Sequence, residues 1–408
     1  MARRVVITGA GVVSSLGVGL RDHLSAMKEG RSGVGPLQRI PTEGLGIAIG
    51  AEALAFNGED YFDRSQLALY DRVAQMALVA GREAVEEAGL EVDEALAPRC
   101  AVVLGSSMGG MHSLDESYRL VYAEKRSRIH PLTVPKLMPN AAASHLSMSF
   151  GITGPAYAVT TACASSNHAI GQAFHLVRGG GVEVALTGGT ESQLTFGVLK
   201  AWEGLRVMSR DACRPFSKNR NGMVQGEGAA VFVLETLERA TARGAPIWAE
   251  IVGFGMSSDA GDIVQPRQDG AARAMAAALV DGGLAPEEIG YINAHGTATA
   301  ANDRTECGAI RQVFGAHADA LAVSSTKSMH GHAIGAAGAL ELTATLMTLR
   351  DGVIAPTINY EEPDPECDLD VTPNAAREAK IDAAMSNSFA FGGLNAVVAL
   401  RAWRGARS

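Results

Sequence analysis

The feature that most constrains the fold is an internal repeat, in which the two halves of the chain follow the same order of predicted elements. Each half has an apolar strand, a helix that ends at glycine, a second strand, a strand–turn–helix segment and a last strand. These elements are predicted at residues 4–8, 70–87, 100–104, around 163 and 182–189, and again at 248–253, 270–279, 289–293, 321–349 and 385–395. The repeat favours an α/β fold with two related halves, which we place at residues 1–250 and 251–408.

The composition narrows the class of protein. With 408 residues, 47% of them apolar and 19% charged, the chain is expected to be globular with a large interior. It lacks the roughly 18 consecutive apolar residues of a membrane span, and the predicted first strand argues against a secretory signal. A net charge of −9 makes nucleic-acid binding unexpected. Five cysteines without CxxC spacing argue against disulfides and structural zinc, and they predict a cytoplasmic location.

Cys163 stands where a predicted strand ends and a helix begins. A thiol at a helix N-terminus feels the positive end of the helix dipole, which favours the nucleophilic thiolate. The alternative is a buried, inert thiol, which Cys100 and Cys307 fit better. Because the neighbours at 160–166 are too small or polar merely to fill a core, we predict that Cys163 is a nucleophile.

Three further reactive side chains lie in the second half: His295 and Lys327 each follow a predicted strand, and His332 opens a predicted helix. Ligands in α/β sheets gather beyond the carboxyl ends of strands, so we expect these residues to meet Cys163 in one cleft. A thiol, two imidazoles and an ammonium group together point to acyl transfer on a thioester.

The histidines have two other interpretations. His295, His330 and His332 have a spacing that also occurs in metal sites, but no carboxylate or cysteine nearby in the sequence completes a ligand set, and Lys327 would repel a cation. No metal is therefore predicted. The histidines could instead be polar groups satisfied inside the core, although we expect His295 and His332 at matching strand ends of the two halves, which argues against this.

A dinucleotide site is also not predicted. Gly9 and Gly11 follow a strand as in the nucleotide-binding fingerprint, but Ser14 replaces its third glycine. No acidic residue ends a second strand about twenty residues further on.

Four segments with ordered reactive residues resemble the β-ketoacyl-acyl-carrier-protein synthases, most closely the synthase II type and the polyketide ketosynthases. These segments lie at residues 161–166, 293–299, 324–332 and 387–395. The resemblance covers the whole chain and includes the opening strand and the segment 214–218. It implies the thiolase fold, a five-layered αβαβα arrangement of two pseudo-duplicated halves.

The resemblance also implies a decarboxylative Claisen condensation that elongates fatty acids. Cys163 would carry the acyl chain, and the backbone N–H groups of Cys163 and Phe391 would form the oxyanion hole. His295 and His332 would donate hydrogen bonds to the enolate that malonyl thioester forms on losing carbon dioxide. Lys327 would hold this network through its charge and its contact with Glu341.

Further roles follow from the same resemblance. Thr297 and Thr299 would bind the phosphopantetheine arm, Phe391 would control access to the cleft, and Met108 would form the floor of the acyl tunnel. The expected partner is acyl carrier protein, which brings the phosphopantetheine itself, so no resident cofactor is predicted. Six basic residues are candidates for docking this acidic partner: Lys125, Arg126, Arg128, Arg214, Lys218 and Arg220.

The assembly and the pathway stay open. A homodimer is expected, while a heterodimer with a chain-length factor is the alternative and would place the protein in a type II polyketide or polyene pathway. A non-catalytic chain-length subunit would lack Cys163, and a biosynthetic thiolase would need a second cysteine in a glycine-rich motif, which Cys367 is not. His330, Ala390 and Leu394 stand where the fatty-acid type has Thr, Gly and Thr, so the sequence leaves the acyl substrate undetermined.

Overall fold

The computed structural model describes residues 2–405. Its strands are β1 (Val5–Ser14), β2 (Gly17–Val18), β3 (Gly35–Pro36), β4 (Ile49–Gly50), β5 (Cys100–Gly105), β6 (Ala156–Val159), β7 (Val184–Glu191), β8 (Gly228–Thr236), β9 (Ala249–Ser258), β10 (Tyr291–Asn293), β11 (Ala322–Ser324), β12 (Val353–Ile354), β13 (Arg377–Glu378), β14 (Ala383–Ala390) and β15 (Leu394–Ala402). Its α-helices are α1 (Leu20–Glu29), α2 (Arg64–Leu69), α3 (Arg72–Ala88), α4 (Met111–Tyr118), α5 (Thr133–Leu137), α6 (Ala141–Phe150), α7 (Ser165–Arg178), α8 (Phe196–Leu205), α9 (Leu237–Ala242), α10 (Gln268–Gly282), α11 (Ala300–Phe314), α12 (Lys327–His330) and α13 (Ala337–Asp351).

The strand order repeats in the two halves. The first half runs β6-β5-β7-β8-β1 and the second runs β11-β10-β14-β15-β9. In each half the second strand of this order is parallel to both of its neighbours, and the last three strands pair antiparallel. The halves join where β1 pairs antiparallel with β9. This topology confirms the predicted duplicated α/β architecture. The division placed at residue 250 falls inside β9, so the second half is better begun at Ala249.

Helices cover the sheet in layers. Helices α3 and α6 pack on the outer face of the first half, and α10 and α11 lie on the outer face of the second half. Between the two halves lie α7 and α13, which contact each other. These layers give the five-layered αβαβα arrangement. Helix α13 is buried around nearly its whole circumference, which explains its weak apolar periodicity.

Two glycine pairs hold a helix unusually close to a strand in each half. A Cβ atom at Gly9 or Gly11 would lie 2.1 Å from a carbonyl oxygen of α3. A Cβ atom at Gly253 or Gly255 would lie 2.3 or 2.1 Å from a carbonyl oxygen of α10. The first strand therefore continues to Ser14, and not to residue 8 as predicted, because these glycines serve strand–helix packing.

No helix of residues 2–405 is both long enough and apolar enough to cross a membrane.

Candidate active site

Cys163 lies on a tight turn between β6 and α7. A single 3-10 turn, Ala162–Ala164, leads directly into α7, and Ala162 has a φ of 49°. A positive φ is unusual for a residue with a side chain and is typical of strained functional turns. The turn leaves the Cys163 side chain 4% exposed.

His332 faces the sulfur of Cys163. Its Nε2 lies 3.2 Å from Sγ of Cys163, and its Nδ1 accepts a hydrogen bond from the N–H of Ile334 at 3.2 Å. Because a backbone N–H can only donate, the neutral ring carries its proton on Nε2. The backbone of His332 is held by Val224 and Gly226 through bonds of 2.7 and 3.0 Å. The ring is therefore fixed as a donor aimed at the sulfur.

His295 is oriented by a buried lysine. Nζ of Lys327 lies 3.3 Å from Nδ1 of His295 and donates to the carbonyl oxygen of His295 at 2.7 Å. The same ammonium group forms an ion pair with Glu341, and both side chains have no exposed surface. Since the ammonium donates to Nδ1, the proton of this imidazole also resides on Nε2. The His295 and His332 rings meet edge to face, with centroids 5.4 Å apart.

Burial keeps both imidazoles uncharged. It lowers the pKa of His295 and of His332 well below the usual 6.5, and the charge of Lys327 lowers both further. Burial also raises the pKa of the Cys163 thiol to about 11, an effect that Lys327 and the backbone N–H of Phe391 partly oppose. Burial thus favours the thiol of Cys163 over the thiolate expected from the sequence.

A carboxylate that the sequence did not single out supports the His295 loop. Glu306 of α11 accepts the N–H groups of His295 and Gly296, each at 2.8 Å. Asn387 donates to the same carboxylate at 3.2 Å. Glu306 shares a helix face with buried Ile310, and this i, i+4 spacing is the sequence signal that could have marked it as an interior carboxylate.

The cleft around these groups has a volume of about 670 Å³ and opens to solvent. Among the predicted site residues, it is lined by Cys163, His295, Thr297, Thr299, His332 and Phe391. The hydroxyls of Thr297 and Thr299 lie 2.9 Å apart. Trp202, which the sequence analysis missed, stacks on Phe391 with ring centroids 6.0 Å apart.

Met108 lies outside this set of lining residues. It is half-buried, and its N–H donates to Glu191 at 3.3 Å. Its predicted place at the floor of an acyl tunnel remains a prediction.

The histidines do not occupy matching strand ends of the two halves, as expected from the sequence. Both His295 and His332 belong to the second half, where they follow β10 and α12. Among Cys163, His295 and His332, Cys163 alone comes from the first half, and residues of both halves line the cleft. His330 is fully buried away from the cleft and bonds Gly331 and Thr326 instead.

The structure brings a potential metal-ligand set together that the sequence did not indicate. Ligand atoms of Cys163, His295 and His332 lie within 4.8 Å of one another. Both Nε2 atoms carry protons, however, because both Nδ1 atoms accept hydrogen bonds. The Lys327 ammonium adds a positive charge 3.3 Å from one ring. The protons and this charge oppose a bound cation, and the absence of a metal stays a prediction.

Two of the proposed docking residues are engaged within the protein. Arg220 has a 5% exposed side chain and forms an ion pair with Asp364, so it is not free to dock a partner, which corrects the expectation from the sequence. Arg214, 14% exposed, pairs with Asp211 at 2.9 Å and with Glu361 at 3.2 Å.

The other docking candidates are exposed. Lys125, Arg128 and Lys218 form no ion pair among residues 2–405, whereas Arg126 pairs with Glu124 at 3.3 Å. Arg206, next to the cleft residue Val207, is a further exposed cation that the docking set had omitted.

Comparisons with known proteins agree with this geometry. The family model of the β-ketoacyl synthase N-terminal domain matches residues 2–240, and that of the C-terminal domain matches residues 248–361. The chain is 50% identical over 401 residues to nodulation protein E of Rhizobium sp. strain N33, covering 98% of this chain and 100% of that one. It is 42% identical to 3-oxoacyl-[acyl-carrier-protein] synthase 2 of Staphylococcus aureus strain COL, covering 98% of each chain.

A solved structure is similar over almost the full length. The ishigamide ketosynthase/chain length factor superposes with a TM-score of 0.94 at 37% identity, covering 99% of this chain and 100% of that chain. Domain matches, sequence relatives and this superposition together show that the protein is a ketosynthase acyltransferase. The chain belongs to the β-ketoacyl synthase family.

Proposed function

We propose that this protein lengthens acyl chains by condensing an acyl group on Cys163 with malonyl-acyl carrier protein, giving 3-oxoacyl-acyl carrier protein. The observation that carries the proposal is the 3.2 Å approach of His332 Nε2 to the Cys163 sulfur, beside a second uncharged imidazole. A thiol provides the covalent attachment, and neutral N–H donors provide the charge stabilisation that decarboxylation needs.

The first half-reaction loads the enzyme. The Cys163 sulfur attacks the thioester carbonyl of acyl carrier protein, a new C–S bond forms, and the phosphopantetheine sulfur leaves. The Cys163 proton balances the charge on the departing sulfur, so no net proton is released. The negative oxygen of the intermediate is stabilised by the N–H groups of Cys163 and Phe391, and the contact of the Phe391 N–H with the sulfur supports this role.

The second half-reaction forms the carbon–carbon bond. Malonyl thioester loses carbon dioxide, and the electron pair of the broken C–C bond moves to its thioester oxygen as an enolate. His295 and His332 donate their Nε2 protons as hydrogen bonds to that oxygen. The enolate carbon then attacks the acyl carbon on Cys163, and the sulfur leaves and takes up a proton. Because both rings are neutral, they stabilise the enolate without transferring a proton irreversibly.

Other residues hold or admit the substrate. Lys327 and Glu341 position His295 from the side away from the cleft. Neither residue is part of the cleft lining. Thr297 and Thr299 line the cleft and offer adjacent hydroxyls to the phosphopantetheine amides. Phe391, stacked on Trp202, controls access. The side chains of this protein thus complete the chemistry with no resident cofactor.

We propose a homodimer in the cytoplasm. Strand β6 ends the sheet, and an unpaired edge favours pairing with a second chain. Exposed apolar side chains occur in the region that precedes this edge, at Tyr118, Tyr122, Val134 and Met148. All five cysteines are free thiols, which fits a reducing compartment.

A second candidate function is a ketosynthase of a specialised acyl or polyketide pathway, paired with a chain-length factor. Two comparisons favour it: the identity to nodulation protein E, 50%, exceeds the 42% to synthase 2, and the superposed structure is a ketosynthase/chain length factor. Analytical ultracentrifugation of the purified chain separates a homodimer from a monomer that requires a different partner.

The proposed reaction is tested with purified protein, acyl carrier protein loaded with hexanoyl or malonyl groups, and mass spectrometry of the products. Wild-type protein should form an acyl adduct on Cys163 and release 3-oxooctanoyl-acyl carrier protein. Cys163→Ala should abolish both, while Cys100→Ala, a buried thiol in β5, should retain both. An acyl adduct on another residue of Cys163→Ala would contradict the assignment.

A further inference from the structure

The wall of the cleft beside Trp202 is backed by a buried glutamine. Trp202 lines the cleft, and its Nε1 donates to Oε1 of Gln193 at 3.2 Å. Gln193 follows the end of β7 and has no exposed surface. The amide group of Gln193 therefore contacts the indole N–H of a residue that lines the cleft.

The nitrogen atom of this amide has no hydrogen-bond partner among the described residues. Nε2 of Gln193 is buried and forms no hydrogen bond with any of residues 2–405. Buried amide groups are nearly always bonded, and an unbonded donor inside a protein calls for a ligand or water that satisfies it. The position beside a cleft residue makes the substrate one source of that bond.

A second glutamine in the same region is also unpaired. Gln225 has no exposed surface, and neither Nε2 nor Oε1 has a partner among the described residues. Its backbone is bridged to His332, whose N–H and C=O bond the residues on either side of Gln225. This pairing fixes the segment next to one of the two enolate-binding histidines.

The direction of the Gln225 side chain follows from its extended backbone. Side chains two residues apart in an extended segment share a face, so Met223, Gln225 and Glu227 lie on one side. Met223 lines the cleft, and Glu227 accepts a hydrogen bond at 2.7 Å from Ser192, the residue before Gln193. The amide of Gln225 is thus placed between the cleft and the Gln193 segment.

We infer that Gln193 and Gln225 select acyl chains that carry a keto or hydroxyl oxygen over hydrocarbon chains of equal length, an inference that rests on the proposed function. Two amide groups offer N–H donors and one carbonyl acceptor directly behind the wall formed by Trp202, Val207 and Met223, where an acyl chain that passes this wall would meet them. A hydrocarbon chain cannot bond them, and an oxygen on the chain can. Discrimination of this kind is strong because a bound hydrocarbon chain leaves the buried amide groups without hydrogen bonds, which costs free energy.

The test is a competition for loading onto Cys163. Hexanoyl-acyl carrier protein is mixed in turn with an equal amount of its 5-oxo or 5-hydroxy analogue, and octanoyl with 7-oxo-octanoyl, so that the oxygen reaches different depths. Mass spectrometry gives the ratio of the two acyl groups on Cys163, and kcat/KM for condensation is measured in parallel. Wild-type protein should prefer at least one oxygenated chain. Gln193→Leu and Gln225→Leu should each reduce that preference roughly three- to tenfold, the effect of one neutral hydrogen bond.

Two controls keep the outcomes distinct. Gln312→Leu, at an exposed site on the outer helix α11, should leave the preference unchanged. The melting temperature of Gln225→Leu should not fall, since leucine removes amide atoms that have no partner, whereas Gln193→Leu also removes the acceptor of the Trp202 indole N–H and should lower it.

Each adverse result is specific. An equal loading of both chain types by wild-type protein, or an unchanged ratio in both leucine variants, would overturn the selection of oxygenated chains. A lowered melting temperature of Gln225→Leu with an unchanged ratio would show instead that internal water satisfies its amide, which also overturns it. A failure to load or extend plain hexanoyl chains would overturn the proposed function, and the inference with it.

Discussion

At the scale of single residues, the cleft converts two histidines into uncharged donors. Each ring has its Nδ1 occupied, one by the Ile334 N–H and one by the Lys327 ammonium, so each must present Nε2–H to the substrate. A charged imidazolium would protonate an enolate, whereas a neutral imidazole only stabilises it. The buried ammonium therefore sets the hydrogen-bonding role of His295 without touching the substrate itself.

Removing either imidazole should separate the two half-reactions. We expect His295→Ala and His332→Ala each to slow malonyl decarboxylation roughly 100- to 1000-fold, the usual effect of losing one oxyanion donor. Loading of Cys163 should continue, because the Phe391 N–H and the Cys163 N–H remain. Carbon dioxide release from malonyl-acyl carrier protein and mass spectrometry of Cys163 measure the two steps. Decarboxylation at the normal rate in either variant would contradict its role as an enolate donor.

Glu306 should act through the position of His295. Its carboxylate accepts two N–H groups at 2.8 Å, and an amide nitrogen in place of either oxygen would oppose a donor to a donor. We expect Glu306→Gln to lower kcat roughly 10- to 100-fold, because the His295 ring is displaced. Loading of Cys163 and the KM for acyl-acyl carrier protein should stay close to normal. Glu287→Gln, an exposed carboxylate of the same half, is the control; an equal change in both variants would rule out the positioning role.

At the scale of elements, the repeated glycines decide how closely strand and helix pack. We expect Gly11→Ala to destabilise the protein by about 1–3 kcal/mol or more, because its Cβ would lie 2.1 Å from the Ala80 oxygen of α3. The matched control is Gly204→Ala in α8, where a Cβ meets nothing within 4 Å and should stabilise the helix by about 0.5–1 kcal/mol. Denaturant unfolding measures both. A Gly11→Ala protein as stable as the control would show that α3 can move away freely.

The elements also show which features the sequence could predict. The order of strands and helices could be predicted because apolar residues recur at strand or helix spacing in the same order in each half. The helix predicted to begin at Tyr70 begins at Arg72, because Asp71 caps its N-terminus. Cys163, His295 and Lys327 could be singled out because each follows a strand, and His332 because it lies in the same motif as Lys327. Glu306 and Gln193 could not, since their roles depend on contacts with residues that only the fold brings beside them.

At the scale of the whole molecule, buried histidines couple stability to pH. Burial lowers the pKa of His23 to about 3 and that of His330 well below 6.5, as it does for the two histidines of the cleft. The folded state therefore binds fewer protons than the unfolded state below pH 6.5, so stability should fall as the pH falls. Each group contributes up to about 1.4 kcal/mol per pH unit.

The pH range over which stability changes distinguishes the contribution of the histidines from that of the carboxylates. Between pH 6.5 and 5 the four histidines outnumber Glu191 and Glu341, whose pKa values burial raises to about 7 and which act in the opposite direction. Glu227, whose pKa is lowered to about 2 beside Arg72, loses its stabilising charge only at more acidic pH. Urea unfolding at pH 7.0, 6.0 and 5.0 should show a steady loss of stability. A flat profile over this range would mean that the buried rings can accept protons without disrupting the fold.

Docking of an acidic carrier protein to a chain with a net charge of −9 requires a local concentration of exposed cations. Lys218 meets this requirement better than its neighbours, because Arg214 and Arg220 are engaged with internal carboxylates. The segment that carries it packs against the His295 loop, with the Phe216 N–H bonded at 2.8 Å to Asp303 at the start of α11. An approaching partner would therefore meet Lys218 close to the cleft.

We expect Lys218→Glu to raise the KM for acyl carrier protein roughly two- to fivefold at low salt, with kcat unchanged and a weaker salt dependence. Lys380→Glu makes the same charge change beyond the C-terminal end of α13, one helix length of about 20 Å from the cleft, and should leave KM unchanged. Arg220→Glu should differ from both by lowering the melting temperature, because it buries a carboxylate beside Asp303 and Asp364. Steady-state kinetics between 25 and 300 mM salt compare the three variants. Equal KM values for Lys218→Glu and Lys380→Glu would show that net charge, and not this site, governs the encounter.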